Sequence, residues 1–251
     1  MAPWCYLATL TLLLSLSPLS KPLAACLSPL SFYTEDYAPI NYMENGELKG
    51  AAVDSLRLIW QQLEQEQQPI KVVPWARGYR LVQQQPGTVL FAMSKTPGRS
   101  ELFKWVGPLF TLDLRLLSRS DFTSDIDSLS QIKHLSIAVL RDDISEQLLF
   151  EADYPLEKMQ RVKSYDAAYR LLQAGRVDFM IISNKGLHAL QQRLGEPAQN
   201  ITSVLTIDRL GNYLAFHRDT PDSQIECYQQ ALEAVREQQR LLVEQYGLNV
   251  P

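Results

Sequence analysis

The chain is 251 residues long, 46% hydrophobic and 21% charged, with a formal net charge of −4, which suits one large globular domain or two compact ones. Its basic residues form no block, and this excludes nucleic acid as a partner. Three cysteines and three histidines, with no Cys-x-x-Cys or His-x-x-x-His spacing, offer metal chemistry little to work with, so neither a metal nor a cofactor is expected.

Residues 6–19 are an apolar run punctuated by Thr and Ser, shorter than the roughly 20 residues a helix needs to cross a bilayer. Pro18, Lys21 and Pro22 end it, and the small residues Ala24 and Ala25 follow. That pattern predicts a secretory signal peptide over residues 1–25, cleaved near Ala25. The leader has no Lys or Arg before the apolar run, which keeps a retained membrane anchor as the rival reading. Cys26 also has two readings. Leu23-Ala24-Ala25-Cys26 is similar to a bacterial lipobox, which would make Cys26 a lipidated first residue. Export equally favours disulfides, and Cys26 and Cys227 are the two cysteines left after cleavage.

The mature chain alternates strand and helix patterns, the mark of α/β architecture. A first strand is predicted at 30–34, then a helix over 53–64, where Val53, Leu56, Ile59, Trp60 and Leu63 recur at helical spacing. A β-branched strand at 70–73 precedes a helix from Trp75 to about Gln85, stopped by Pro86-Gly87, and 89–93 is the next apolar strand. Further on, 135–140 reads as a strand, with Asp143 and Glu146 placed as a capping box for the helix after it. Ser164 caps a helix over 165–174 closed by Gly175, and 177–182 is a continuous buried-strand run. A strand at 213–217 and one long helix over 223–246, opened by Ser223 and Glu226 and closed by Gly247, complete the chain.

Several short segments lie along these elements in a fixed order. Tyr37-Ala38-Pro39 is followed by Tyr42, Asn45-Gly46, Gly50 and Asp54, then by Pro74-Trp75. Ser94-Lys95-Thr96-Pro97-Gly98-Arg99 leads into the aromatic-Pro stretch ending at Pro108, and Gly175-Arg176-Val177-Asp178 comes later. Taken together they resemble the family of bacterial extracellular solute-binding proteins that contains the polar amino-acid receptors of ABC transporters. The resemblance implies a two-lobed periplasmic-binding-protein-like (type II) α/β fold, with two hinge strands and a ligand cleft between the lobes. Lobe 1 would combine residues 26–112 and 213–251, and lobe 2 residues 113–212.

The resemblance also implies a set of cleft residues. Arg99 and Ser94 match the positions that hold the ligand's α-carboxylate in the amino-acid receptors. A guanidinium fork suits that task, because it can bind a carboxylate in bidentate geometry. Tyr37 matches the ring that covers the ligand, Trp75 is a second candidate wall, and Arg77 could add a cation. In lobe 2 the pattern departs from the family. The acidic residue that takes the ligand's ammonium group is replaced by Ser183, and the Gly/Thr-rich turn is Arg141-Asp142-Asp143. Asp143 could supply the missing negative charge, with Arg141 meeting another polar group of the ligand, or serve only as a helix cap.

The function expected is that of a monomeric periplasmic binding protein for an amino acid or related carboxylate. It would close about its hinge and deliver the solute to an ABC transporter permease. No nucleophile with a partnered base and no Gly-x-Ser-x-Gly elbow is present. Two alternatives stand. One is an enzyme on the same scaffold, similar to dehydratases of cyclic acids, with Glu35 and Asp36 as general acids. The other is a periplasmic ligand sensor acting through a separate membrane partner.

Overall fold

The computed structural model describes residues 26, 28–195 and 200–250; the expected signal peptide therefore lies outside the described residues. In chain order the elements are β1 (Ser31–Thr34), β2 (Tyr42–Glu44), β3 (Glu47–Lys49), α1 (Ala51–Gln62), β4 (Ile70–Val72), α2 (Trp75–Gln84), β5 (Thr88–Ser94), α3 (Pro97–Ser100) and β6 (Phe103–Arg119). They continue as β7 (Ile137–Leu140), α4 (Ile144–Glu151), β8 (Met159–Val162), α5 (Tyr165–Gln173), β9 (Phe179–Ser183), α6 (Asn184–Leu194), β10 (Ile201–His217), α7 (Asp222–Ala234) and α8 (Arg236–Gln245).

β2 and β3 form a small hairpin, and the other strands share one sheet in the order β4-β1-β5-β10-β6-β9-β7-β8. The sheet has two parallel halves, β4-β1-β5 and β9-β7-β8. Each is built by crossover helices, as parallel neighbours require. Between them the 17-residue strands β6 and β10 run antiparallel to each other. β5 pairs with the end of β10, at Asn212 to Phe216, whereas β9 pairs with the later part of β6, at Leu114 to Leu117. These two strands thus carry the chain between two lobes.

Each half is covered on both faces, which is why its inner strands β5, β7 and β9 read as apolar runs. Side chains alternate along a strand, so Phe32, Val89, Phe91 and Phe216 pack under Leu56, Ile59 and Trp60 of α1 and Tyr228 and Leu232 of α7. On the other face Tyr33, Leu90, Met93 and Ala215 meet Trp75 and Val82 of α2. The second half repeats the scheme. Ile137, Val139, Phe179 and Ile181 pack on Ile144 and Leu149 of α4, and Ala138, Met180 and Ile182 pack on Tyr169 and Leu172 of α5 and Leu190 of α6. Among the described residues no helix is long and apolar enough to cross a membrane.

Two expectations are corrected. The strand expected at 213–217 is the end of β10, whose earlier part alternates exposed and half-buried residues and so lacks an apolar signature. The single helix expected over 223–246 is two helices. Val235, with φ −104 and ψ 11, leaves helical geometry and separates α7 from α8. The cap of α7 is Pro221, not Ser223, and no side chain caps it.

Cys26 and Cys227 are joined in a disulfide with their Cα atoms 5.7 Å apart, fastening the start of the described chain to α7. The bridge closes a loop that contains nearly the whole fold, so it restricts the unfolded chain strongly. Replacing both cysteines by serine is expected to lower stability by about 2–4 kcal/mol. Chemical denaturation would show this as a lower midpoint, and an unmoved midpoint would refute it.

Candidate ligand cleft

The cleft is assembled from the carboxyl ends of the parallel strands, where open α/β sheets hold their ligands. The first lobe brings Glu35-Asp36-Tyr37 after β1, Trp75 at the start of α2, Ser94 at the end of β5 and Arg99 on α3. The second lobe brings Arg141 to Asp143 after β7, Lys163 to Tyr165 after β8, and Ser183 at the end of β9. Three of the incoming helices are capped by their own cleft residues. Asp143 accepts from the Ser145 backbone N–H, Ser164 from Ala167 and Ser183 from Gly186.

Six of the expected residues meet here. The Tyr37 hydroxyl lies 2.6 Å from the Ser183 hydroxyl and accepts from the Ser183 backbone N–H at 3.3 Å. Its ring packs against that of Tyr165 at a 31° tilt, with centroids 5.0 Å apart. Gly186 makes this docking feasible, since a Cβ there would stand 2.3 Å from the Tyr37 hydroxyl oxygen. The Asp143 carboxylate accepts from the Ser145 hydroxyl at 2.9 Å and from the Tyr165 hydroxyl at 3.2 Å. It is therefore both a helix cap and a member of the cleft.

Arg99 is 2% exposed. Its guanidinium lies 5.1 Å from the Tyr79 ring centre and 5.8 Å from that of Trp75. One terminal nitrogen donates to the Ser94 carbonyl at 3.5 Å, the other to the Asp142 carbonyl at 3.1 Å. The Trp75 indole N–H donates to that same Asp142 oxygen at 2.8 Å. The Arg99 Nε has no partner, and among the described residues no carboxylate forms an ion pair with this buried cation.

Arg77 and Arg141 depart from the expectation. Both are exposed, and neither lines the cavity between the lobes. Residues two apart on a helix face opposite ways, so with Trp75 turned inward Arg77 turns out. The same logic applies at the end of β7, where Leu140 faces the cavity and the next residue does not.

Beside the Arg99 cluster is a cavity of about 480 Å³, within the usual size of small-molecule sites. Glu35, Asp36, Tyr42 and Trp75 line it from one side, and Lys163, Tyr165, Asp166 and Arg193 from the other. Met43, Val72 and Leu190 add apolar wall. Arg193 forms a two-pronged ion pair with Asp166, one prong at 2.9 Å, and that bond holds the Asp166 carboxyl below its ordinary range. Glu35 shows the opposite shift. Burial pushes its carboxyl well above the ordinary range, and the charges of Asp143 and Asp36 add to the effect. Burial likewise raises the Tyr37 and Tyr165 hydroxyls, so both stay protonated. Among the described residues no group of three or more His, Cys, Asp or Glu side chains is placed to hold a metal ion.

Lys163, Asp166 and Arg193 were not anticipated. Lys163 follows β8, and Asp166 and Arg193 lie near the ends of α5 and α6, with no pattern of their own; only the rule that strand carboxyl ends face the ligand would have pointed to Lys163.

Residues 31–244 match the bacterial extracellular solute-binding proteins, family 3. The chain belongs to that family. No curated protein matches it. Among solved structures, a histidine kinase sensor domain with similarity to periplasmic binding proteins superposes with a TM-score of 0.79 at 18% identity, covering 89% of this chain and 99% of the other. An ancestral arginine-binding protein bound to glutamine gives 0.74 at 21% identity, covering 87% and 97%. The arginine-, lysine-, histidine-binding protein ArtJ from Geobacillus stearothermophilus gives 0.74 at 16%, covering 88% and 96%. At such identities these likenesses establish the type II binding-protein fold, and the family membership makes the chain a solute-binding protein of extracellular type.

The raised Glu35 carboxyl makes stability depend on pH. The folded state keeps Glu35 protonated to higher pH than the unfolded chain does. Its stabilising contribution is therefore complete below the unfolded value near 4.3 and is lost as pH climbs through the raised value. Glu35→Gln is expected to raise the melting temperature at neutral pH and to change it little near pH 4. An equal effect at both pH values in thermal unfolding would contradict this.

Proposed function

We propose that this solute-binding protein captures an amino acid or a related small carboxylate by closing its two lobes, with Arg99 as the anchor. One observation carries the reading. A buried guanidinium without an anionic partner and an indole N–H converge on one point in the cleft, now filled by the Asp142 carbonyl. A carboxylate at that point would receive charge-assisted hydrogen bonds, which are about twice as strong as neutral ones. Tyr37 and Trp75 would flank the solute, and Ser94 and Ser183 would sit at opposite ends of the site. Glu35 of the first lobe and Asp143 of the second lie close enough to couple electrostatically. An entering ammonium group would find negative charge there, and would pull the Glu35 proton off as it bound.

In this reading residues 1–25 direct export and are removed, and the mature chain works as a monomer in the periplasm. The hinge would divide it into residues 26–112 with 213–251 against residues 113–212. The closed form would be read by a membrane partner, an ABC transporter permease. The fold likeness to a histidine kinase sensor domain favours a second reading, in which the partner is a signalling protein. Glu35 has the raised carboxyl a general acid needs, but among the described residues no partnered nucleophile or base accompanies it, so binding rather than turnover is proposed.

The test is a thermal-shift screen of residues 26–251 against amino acids, dicarboxylates, polyamines and cyclic acids. A ligand at 100 times its dissociation constant adds about 2.7 kcal/mol to stability. A carboxylate solute should raise the midpoint, and Arg99→Ala should abolish the rise. A shift that persists in Arg99→Ala, or one given by polyamines alone, would remove Arg99 from the anchor role.

A further inference from the structure

The group that fills the Arg99 and Trp75 donors belongs to the protein itself, and the way it is held suggests a device. Asp142 has φ 61, the left-handed conformation that few side chains adopt. Its backbone N–H donates to the Glu146 carboxylate at 2.8 Å. Glu146, with its side chain 3% exposed, is gripped in turn by both prongs of the Arg161 guanidinium, one at 3.0 Å. With its N–H fastened to α4, Asp142 turns its own carbonyl across the cleft to Trp75 and Arg99. One residue past Glu146, the Gln147 amide also crosses the cleft and donates to the Thr96 hydroxyl at 3.0 Å. It packs against Gly98, where a Cβ would stand 2.4 Å from its nitrogen.

We infer that these contacts are a self-latch: the Asp142 carbonyl stands in for the ligand's carboxylate, so that the two lobes also close when no ligand is bound. Taking the carboxylate to be the anchored group rests on the proposed function above; the latch itself does not. Closure on an internal oxygen has three consequences. Binding becomes an exchange of one acceptor for another, so affinity is reduced by the share of molecules latched. Glu146 is a positioning residue, since it touches no solute yet fixes where the competing carbonyl points. The latch also protects Arg99 from standing as a bare cation in a closed, dry cleft.

The latch is tested without any ligand. Wild-type protein is unfolded and refolded to strip co-purified solute, and its radius of gyration is measured by small-angle X-ray scattering. The same measurement is made on Glu146→Gln combined with Gln147→Ala, and on Trp75→Phe, which removes a donor from the opposite lobe. The latch requires that stripped wild type scatter as the closed structure and that both variants, still unfolding cooperatively, be measurably larger. A stripped wild type as large as the variants, or variants as compact as wild type, would overturn it. Should the double variant fail to fold, Trp75→Phe decides alone. An open stripped protein whose carboxylate hit disappears in Arg99→Ala would sink the latch and leave the receptor reading standing. A compact one stabilised by no carboxylate would do the reverse.

Discussion

The cleft depends on β6 and β10 lying side by side through both lobes. Their ladder runs from Ile201 opposite Arg119 to His217 opposite Phe103, and it is irregular at Ser203/Leu205, Thr206/Asp208 and Asn212/Leu214. Irregularities of this kind bend and twist a strand where pairing is interrupted. The one at Asn212/Leu214 falls where β10 takes on β5 as its second neighbour. Each lobe keeps its own apolar cores on both faces of its half-sheet. Cores packed at crystal-like density do not deform continuously. Each lobe is thus a separately packed unit, and β6 and β10 are the strands the two units share.

The cleft between them holds groups that the protein itself leaves unmatched. Arg99 lies among aromatic rings, and among the described residues no anion pairs it. Glu35, in the same lobe, is kept from ionising by burial first and then by the charges of Asp143 and Asp36. Such groups keep their desolvation cost if the cleft closes on nothing. A cation and acids within one cleft are, however, the complement of a molecule carrying both signs. The apolar patches of Met43, Val72 and Leu190 beside them would suit the hydrocarbon part of such a solute.

Much of the fold was legible in the sequence because burial writes itself in apolar spacing. The runs around Phe32, Val89, Val139 and Ile181 announced the parallel strands, and Ser164 and Asp143 announced helix starts. The long hinge strands were not legible, since β10 between Thr202 and Gly211 has polar and apolar residues on a half-exposed ribbon and reads as loop. At the candidate site, the segments around Tyr37 and Arg99 lie in the cleft between the lobes. Arg77 and Arg141 are exposed instead, because nearness in sequence does not say which way a helix or strand turns each side chain. The partner of Arg99 had no sequence signal at all. It is a main-chain oxygen, and only the left-handed turn at Asp142 aims it.

The competition between that oxygen and a solute can be judged from the strengths of the bonds involved. A neutral carbonyl receiving from a guanidinium and an indole gives one charge-assisted bond and one ordinary one. A carboxylate in its place would turn the indole bond into a charge-assisted one as well and bring an opposite charge to Arg99. It could also offer an oxygen to the Arg99 Nε, now without a partner. The internal acceptor has the advantage of being already held, by Glu146 and Arg161, so it pays no loss of translational freedom. A solute that offers only a carboxylate would gain on the bonds and lose on that entropy. One that also places a cation near Glu35 gains a second interaction that Asp142 cannot make. On this argument the discrimination between solutes comes less from Arg99, which accepts any well-placed oxygen, than from the acidic pair Glu35 and Asp143.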